Sequence, residues 1–193
     1  MRFTPVLLLC LTHSPGASGQ IPDGTPWERV EVVKVDSTAK AEELYRAARR
    51  WFVDAFRDAD EAIQMDDPAG KIIAGKGWFP YNAYGRLWFT IEVEARDGRY
   101  RTRVSGVEHR GFGTITFMDA TTPALSLGPI AMGDRCFTPL DGPFSNPRKE
   151  ERDMLQICAE QIHPIMNREV SDLFSSLRLA VENGLKNRTG QGW

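Results

Sequence analysis

Histidine is the side chain best suited to acid–base chemistry near neutral pH, and the sequence holds three of them. His109 follows Glu108 and precedes a Gly-Phe-Gly segment, so it is a candidate general base assisted by Glu108 or by Asp119. A histidine at the end of a strand is more often an exposed surface residue, and we expect this for His109. A hydrolase-type enzyme is therefore the least favoured of the functions considered.

The motifs that hold metals and cofactors are missing from the sequence. Cys158 and His163 lie five residues apart, about 140° around an ideal helix, so they do not share a helix face. Gly75-Lys76-Gly77 lacks the third glycine of a dinucleotide fingerprint and runs into Trp-Phe-Pro instead of a helix. We expect no metal and no cofactor, and we expect these glycines to mark a bulge or close packing in a strand.

A group of aromatic side chains keeps a binding function open. Trp78, Tyr81, Tyr84 and Trp88 fall within a short span that is interrupted by Pro80, Asn82 and Gly85. Exposed aromatic residues with polar atoms suit contacts with a protein partner, a sugar or an apolar ligand. With His109 they form the predicted binding residues. The alternative is that a long loop folds over them and makes them a small additional core.

The first residues determine the expected compartment. Met1 and Arg2 precede the apolar run Phe3 to Thr12, and Ala17-Ser18-Gly19 offers small residues for cleavage before Gln20. This pattern predicts a signal peptide over 1–19, and a buried N-terminal strand is the alternative. The mature chain, 20–193, is expected to be a single domain in the periplasm or outside the cell. It contains no apolar run long enough for a transmembrane segment.

Charge and cysteine content add two further expectations. The formal net charge is −2, so the composition does not favour binding to nucleic acid. Cys136 and Cys158 remain after export, and an oxidising compartment would allow them to form a disulfide. The alternative, that Cys158 is an ordinary buried thiol, stays open at this point.

The first half of the mature chain alternates between strands and one clear helix. Val-rich Glu28 to Val35 predicts a strand. Ser37 is the expected N-cap of an amphipathic helix that reaches Asp58. Ala62 to Asp66 and Lys71 to Phe79 then predict a hairpin around Asp67-Pro68-Ala69-Gly70.

The next hairpin gives the strongest local signal. Arg86 to Arg96 and Arg99 to Glu108 flank Asp97-Gly98, which favours a two-residue type I′ turn. This turn fixes the register, so Glu94 should face Arg101 on a charged outer face, with Trp88 on the same face. Phe89, Ile91 and Val93 should face the core.

The second half combines a strand, a long loop and a helical segment. Thr114 to Met118 predicts a strand, and the Pro/Gly-rich stretch 119–146 predicts a loop that is long enough to act as a lid or a binding loop. Asn146-Pro147 should begin a helix that Pro164 kinks or splits and that Asn183-Gly184 ends. The order of elements predicts an α+β fold with the helices on one face of a curved antiparallel sheet.

The helix containing Tyr45 and Trp51, followed by a strand and the segment Gly70 to Gly77, resembles a bacterial family of unknown function with a TBP-like fold. The resemblance spans roughly Val30 to Val107. It implies a TBP-like sheet and an exported envelope protein, and it brings no catalytic residues. The long loop and the extended C-terminal helix depart from the family's usual core.

These observations favour a non-catalytic, exported binding or interaction module of the bacterial envelope. Its partner would be an envelope protein or a small apolar ligand. The alternative is a carrier that encloses an apolar ligand between sheet and helices, gated by the loop 119–146.

Overall fold

The computed structural model describes residues 25–56, 58–82, 85–111, 113–117, 120–123, 126, 128–132 and 149–189. The strands and helices follow in chain order: β1 (Arg29–Lys34), α1 (Ala41–Ala55), α2 (Ala59–Ala62), β2 (Ile63–Asp67), β3 (Ile72–Asn82), β4 (Gly85–Arg96), β5 (Arg99–Gly111), β6 (Thr114–Phe117), β7 (Ala120–Pro123), β8 (Gly128–Pro129) and α3 (Lys149–Thr189).

One antiparallel sheet organises these elements in the order β1-β5-β4-β3-β2, with β8 pairing to the far end of β5. A separate small sheet joins β6 and β7. Helix α1 packs on β3, β4 and β5 and against α3, so both long helices cover the same face, here called the inner face. The predicted α+β arrangement is confirmed.

The core lies between the inner face and the two helices. In β4, alternate residues point inward and are buried, in accordance with the two-residue period of a strand. Helix α3 contributes an apolar stripe at helical spacing. The side chains shared between these layers include Leu87, Phe89, Ile91, Val93, Phe52, Met166, Val170 and Leu177.

The predicted register of the β4–β5 hairpin is confirmed over its first half. The Cα partners are Arg96 and Arg99, Ala95 and Tyr100, Glu94 and Arg101, Val93 and Thr102, Glu92 and Arg103, and Ile91 and Val104. Ion pairs follow this ladder only in part. Arg101 binds Glu94 at 2.7 Å, whereas Arg103 binds Glu28 at 2.7 Å instead of Glu92.

The turn of this hairpin differs from the prediction and also caps a helix. Gly98 has a φ of 71°, but Asp97 does not have positive φ, so the turn is not type I′. The Asp97 carboxylate instead accepts a hydrogen bond from the backbone N–H of Ala41 at 2.8 Å. Helix α1 therefore begins after Lys40, and the prediction of Ser37 as its N-cap is wrong. A side chain from a distant turn supplies the capping oxygen.

Helix α3 is continuous through both of its predicted interruptions. Pro164 lies inside one continuous helix, so the alternative of two separate helices is wrong. The predicted end at Asn183-Gly184 is wrong, since the helix continues to Thr189. A Cβ placed on Gly184 would lie 3.0 Å from Cβ of Ala47, so this glycine allows α3 to approach α1 closely.

Gly75 and Gly77 serve close packing, as the sequence predicts. Both lie on the inner face of β3. A Cβ on Gly75 would lie 2.8 Å from the carbonyl oxygen of Ala62, and a Cβ on Gly77 would lie 2.6 Å from the ring of Phe56. Neither glycine belongs to a nucleotide-binding loop.

Three other predictions concern parts of the chain with little or no description. The predicted signal peptide, 1–19, lies outside the described residues, and so does Asn146, the predicted start of the C-terminal helix. The loop 119–146 is described only in part, and β7 and β8 lie within it. Among the described helices, none has the length and apolar character needed to cross a bilayer.

Candidate functional site

Two tryptophans lie side by side on the outer face of the sheet. Trp78 in β3 and Trp88 in β4 are direct Cα partners in the antiparallel ladder, so their side chains project from the same face side by side. Trp78 is 44% exposed, and Trp88 is half-buried. Because the helices lie on the inner face, the indoles are not part of the main core.

An arginine from the next strand lies over the ring of each tryptophan. The guanidinium carbon of Arg86 lies 4.0 Å from the ring centroid of Trp78, and that of Arg110 lies 5.3 Å from Trp88. Both arginines occupy the diagonal position to their tryptophan, so the arrangement repeats from β3–β4 to β4–β5. We refer to Trp78, Arg86, Trp88 and Arg110 as the Trp/Arg surface.

The charges around this surface are mostly positive. Lys76 precedes Trp78 on the same face and is exposed. Glu108, the Cα partner of Trp88, binds Arg110 at 2.7 Å. This ion pair raises the pKa of Arg110, with the hydrogen bond to Glu108 as the main cause. Three cationic side chains and one carboxylate therefore border two indole rings.

A bulge in β5 places Glu108 and Arg110 beside the tryptophans. The register shifts between Trp88 and Thr90, and Gly106 has a φ of 61° at this point. An unshifted ladder would put Val107 opposite Trp88. The extra residue reverses the faces beyond it, as expected for a strand with a period of two.

The bulge also places His109 in the core. His109 is 4% exposed on the inner face, so the prediction of a surface histidine is wrong. Its ring lies edge-on to Tyr81, with centroids 5.3 Å apart. Burial lowers the pKa of His109, which favours the neutral imidazole.

The predicted acid–base pairing is not formed. Glu108 and His109 are consecutive residues of one strand and point to opposite faces, with Glu108 engaged by Arg110. Asp119, the alternative carboxylate, lies outside the described residues. The described part of the chain also contains no group of three or more histidine, cysteine or acidic residues close enough to hold a metal ion.

Four of the five predicted binding residues lie in the described part of the chain and divide into two sets. Trp78 and Trp88 share the outer face. Tyr81 and His109 pack together on the inner face, where Tyr81 also lies 3.5 Å from the side-chain oxygen of Gln161 in α3. Tyr84 lies outside the described residues.

The predicted disulfide stays a prediction. Cys136 lies outside the described residues, and for Cys158 only its position in α3 is described.

A groove runs between β1 and the C-terminal half of α3, with a volume of about 490 Å³. Val33, Tyr100, Val181 and Leu185 line its apolar part, and Lys34 and Lys186 lie at its border. It is an open surface groove. The space between sheet and helices is occupied by fully buried side chains such as Phe52, Ile91 and Met166.

Neither arginine of the Trp/Arg surface is among the binding residues predicted from the sequence. The alternation of Arg86 with Trp88 along the predicted strand does place the two on one face. Arg110 falls beyond the bulge, where counting from the turn gives the wrong face. Gly106, a glycine inside a strand pattern, was the available signal for a bulge.

Comparison with known proteins places the central part of the chain in a family. Residues 30–110 match a domain described as "Domain of unknown function (DUF4468) with TBP-like fold". This segment belongs to the DUF4468 family. It contains α1 and nearly all of the five-strand path, from Val30 in β1 to Arg110 in β5, and it includes the Trp/Arg surface.

Two solved structures match most of the chain. A TBP-like protein from Parabacteroides distasonis ATCC 8503 is 12% identical, with 82% of this chain and 96% of that chain covered and a TM-score of 0.48. A DUF4468 family protein from Bacteroides ovatus ATCC 8483 is also 12% identical, with 83% and 88% covered and a TM-score of 0.46. No curated protein matches the chain.

Proposed function

We propose that this DUF4468 protein is an exported, non-catalytic binding module of the bacterial cell envelope and that it binds through the Trp/Arg surface. The observation that carries the proposal is the cross-strand pair of tryptophans on the outer face, where Trp78 is 44% exposed. A large aromatic side chain at a fixed position on a rigid sheet offers contact area with little loss of conformational entropy on binding.

The chemistry of the surface favours a ligand with a flat apolar face next to an acidic group. Indole rings stack against the C–H faces of sugar rings and against planar groups. Arg86 and Arg110 are held against the indoles, and guanidinium groups bind carboxylates with good geometry. Lys76 adds positive charge at the border. Acidic saccharides and acidic segments of envelope proteins combine both features.

Titration with a matched pair of oligosaccharides tests the ligand class. Oligogalacturonate carries the carboxylates that neutral oligogalactan lacks, and tryptophan fluorescence reports binding. We expect saturable quenching with the acidic sugar and at least about tenfold weaker binding of the neutral one, the equivalent of one lost charged hydrogen bond. Saturable binding that does not distinguish the two sugars would contradict the assigned role of the arginines.

Paired variants locate the binding surface. Trp78→Ala with Trp88→Ala should abolish binding, measured by isothermal titration calorimetry because the variant lacks the two indoles whose fluorescence reports binding in the wild type. Leu179→Ala is the matched control, since Leu179 is 58% exposed on α3 and lies on the helix side of the molecule. Undiminished binding by the double variant, with its fold verified by circular dichroism, would remove the Trp/Arg surface from the proposal.

Export is tested separately on the protein recovered from its own host. In the envelope or periplasmic fraction, we expect the measured mass of a chain that begins at Gln20, since the pattern over 1–19 is typical of a signal peptide. A cytoplasmic protein that retains residues 1–19 would contradict export and would leave the binding test unaffected.

A further inference from the structure

The two edges of the main sheet are built differently. The β2 edge contains a register shift between Ile63 and Met65, and it ends with Asp66 and Asp67 followed by Pro68. Bulges, charges and proline are the usual means of preventing an edge from pairing with another chain. The β1 edge pairs with β5 without any register shift. Val30 and Val32, in its middle, are 47% and 54% exposed.

The hydrogen bonds of β1 show which backbone groups face outward. Val35 donates its N–H to Gly98 across the ladder, and Trp27 donates to Ile130 on the same side. Since hydrogen-bonded pairs alternate in an antiparallel ladder, odd-numbered residues direct their N–H and C=O groups toward the sheet. Even-numbered residues of this segment direct theirs away from it.

The backbone N–H and C=O groups that point outward from β1 belong to a short run of residues with a defined centre. Pro26 has no N–H to donate, so it ends the set on one side. Beyond Lys34 the chain turns away at Asp36, which accepts a hydrogen bond from the N–H of Thr38 at 2.8 Å. The outward residues between these limits are Glu28, Val30, Val32 and Lys34. Their midpoint is Glu31.

From this geometry we infer that the β1 edge is a site of self-association, at which β1 of a second copy of this chain pairs antiparallel about a two-fold axis through Glu31. In this register Val30 pairs with the Val32 position of the second copy, and Glu28 pairs with the Lys34 position. Each pair exchanges two backbone hydrogen bonds, and every outward group of the set is used.

Side chains on the outer face are complementary in the same register. The two valine pairs bury β-branched side chains that are exposed in one copy. Each Glu28, which already binds Arg103 of its own chain, also meets a Lys34 of the second copy, and Lys34 has no ion pair among the described residues. A register shifted by two residues would instead place Glu28 opposite Asp36. The centre of the outward set and the charge pattern therefore select the same pairing.

One contact in this arrangement is unfavourable. The two Glu31 carboxylates would face each other across the axis on the inner face, where like charges oppose pairing. Each carboxylate is already bound by Arg178 of its own chain. The four charges form a neutral row of two ion pairs, which limits the repulsion.

Pairing about this axis would join the two sheets into one continuous sheet with both outer faces on the same side. The Trp/Arg surface lies on β3, β4 and the far end of β5, beyond the part of β5 that β1 covers. It would stay accessible in both copies. Self-association would thus present two binding surfaces side by side, and its test does not depend on the proposed function.

Sedimentation velocity of the purified protein over a range of concentrations tests self-association. We expect a monomer–dimer equilibrium that Val32→Glu weakens by at least about tenfold, because a charge replaces a buried valine in each half. Val53→Glu is the matched control, since Val53 is 48% exposed on α1, and it should leave the equilibrium unchanged. A monomer at every soluble concentration, or equal effects of the two variants, would overturn the inference.

Charge reversal and cross-linking test the register. Lys34→Glu should weaken the dimer, and adding Glu28→Lys should restore it. Under mild oxidation, Glu31→Cys should give a covalent dimer because only the residue on the axis meets its own copy, and Val33→Cys should give none. A dimer that forms equally well with the single reversal, or that cross-links through position 33, would overturn the assigned register.

Discussion

Gly75 and Gly77 allow a test of how tightly β3 is packed against the helix layer. Replacing either glycine with alanine adds one methyl group to the inner face. For Gly75→Ala the new Cβ would lie 2.8 Å from both the carbonyl oxygen of Ala62 and a ring carbon of Phe52. For Gly77→Ala it would lie 2.6 Å from Phe56 and 2.7 Å from Phe89, both ring carbons.

The two substitutions should differ in cost because their neighbours differ in freedom. Overpacking of a core costs about 1 to 3 kcal/mol, and loss of glycine's backbone freedom in the unfolded chain returns about 0.5 to 1 kcal/mol. The rings around Gly77 can shift by a small rotation. The carbonyl of Ala62 belongs to the backbone at the end of α2 and cannot shift in this way. We expect a loss of about 2 kcal/mol for Gly75→Ala and about 1 kcal/mol for Gly77→Ala.

Urea unfolding followed by circular dichroism measures these free energies of unfolding. Lys76→Ala is the control between the two sites, since Lys76 is exposed on the outer face, and it should change stability by less than about 0.5 kcal/mol. Phe89→Leu should offset part of the cost of Gly77→Ala in a double-mutant cycle. The reasoning is refuted if Gly75→Ala is as stable as the Lys76 control, or if Gly77→Ala is the more costly of the two.

Three further predictions concern single side chains. His109→Phe should remove a pH dependence of stability. Burial lowers the pKa of His109 in the folded protein below the unfolded value of about 6.5, so the wild-type unfolding free energy is full above that pH and falls as the pH drops through it. In urea titrations, the unfolding free energy of the variant should not change between pH 5 and 7. Tyr45→Phe removes the hydrogen bond to Asp66 that joins α1 to β2, and it should lower the unfolding free energy by about 1 to 2 kcal/mol; an unchanged midpoint would contradict this role. Gly106→Ala should cost about 1 to 2 kcal/mol because φ is 61°, and a neutral result would mean that the bulge relocates.

Local patterns were sufficient to predict most of the fold. The Asp97-Gly98 turn fixes the register as far as Ile91 and Val104, because pairing outward from a two-residue turn leaves no freedom until a residue is inserted. The alternation in β1 and the apolar spacing in α1 likewise depend on neighbouring residues alone. These features do not require knowledge of distant contacts.

Features that depend on distant contacts were predicted wrongly. Asp97 caps α1 from a turn more than fifty residues away in sequence, so the local signal at Ser37 gave the wrong start. Gly184 would end an isolated helix, but in α3 it allows contact with Ala47. The packing of α3 against α1 offsets the free-energy cost of a glycine inside a helix.

The position of one glycine decides what the candidate site can do. Without the extra residue at Gly106, His109 would stand on the outer face near Trp88, beside solvent, and Arg110 would point into the core. That arrangement would favour an acid–base function for the histidine. With the bulge, the imidazole packs on Tyr81 and the guanidinium packs on Trp88. The backbone bulge, rather than the residue types alone, therefore determines which side chains share the outer face with the two tryptophans.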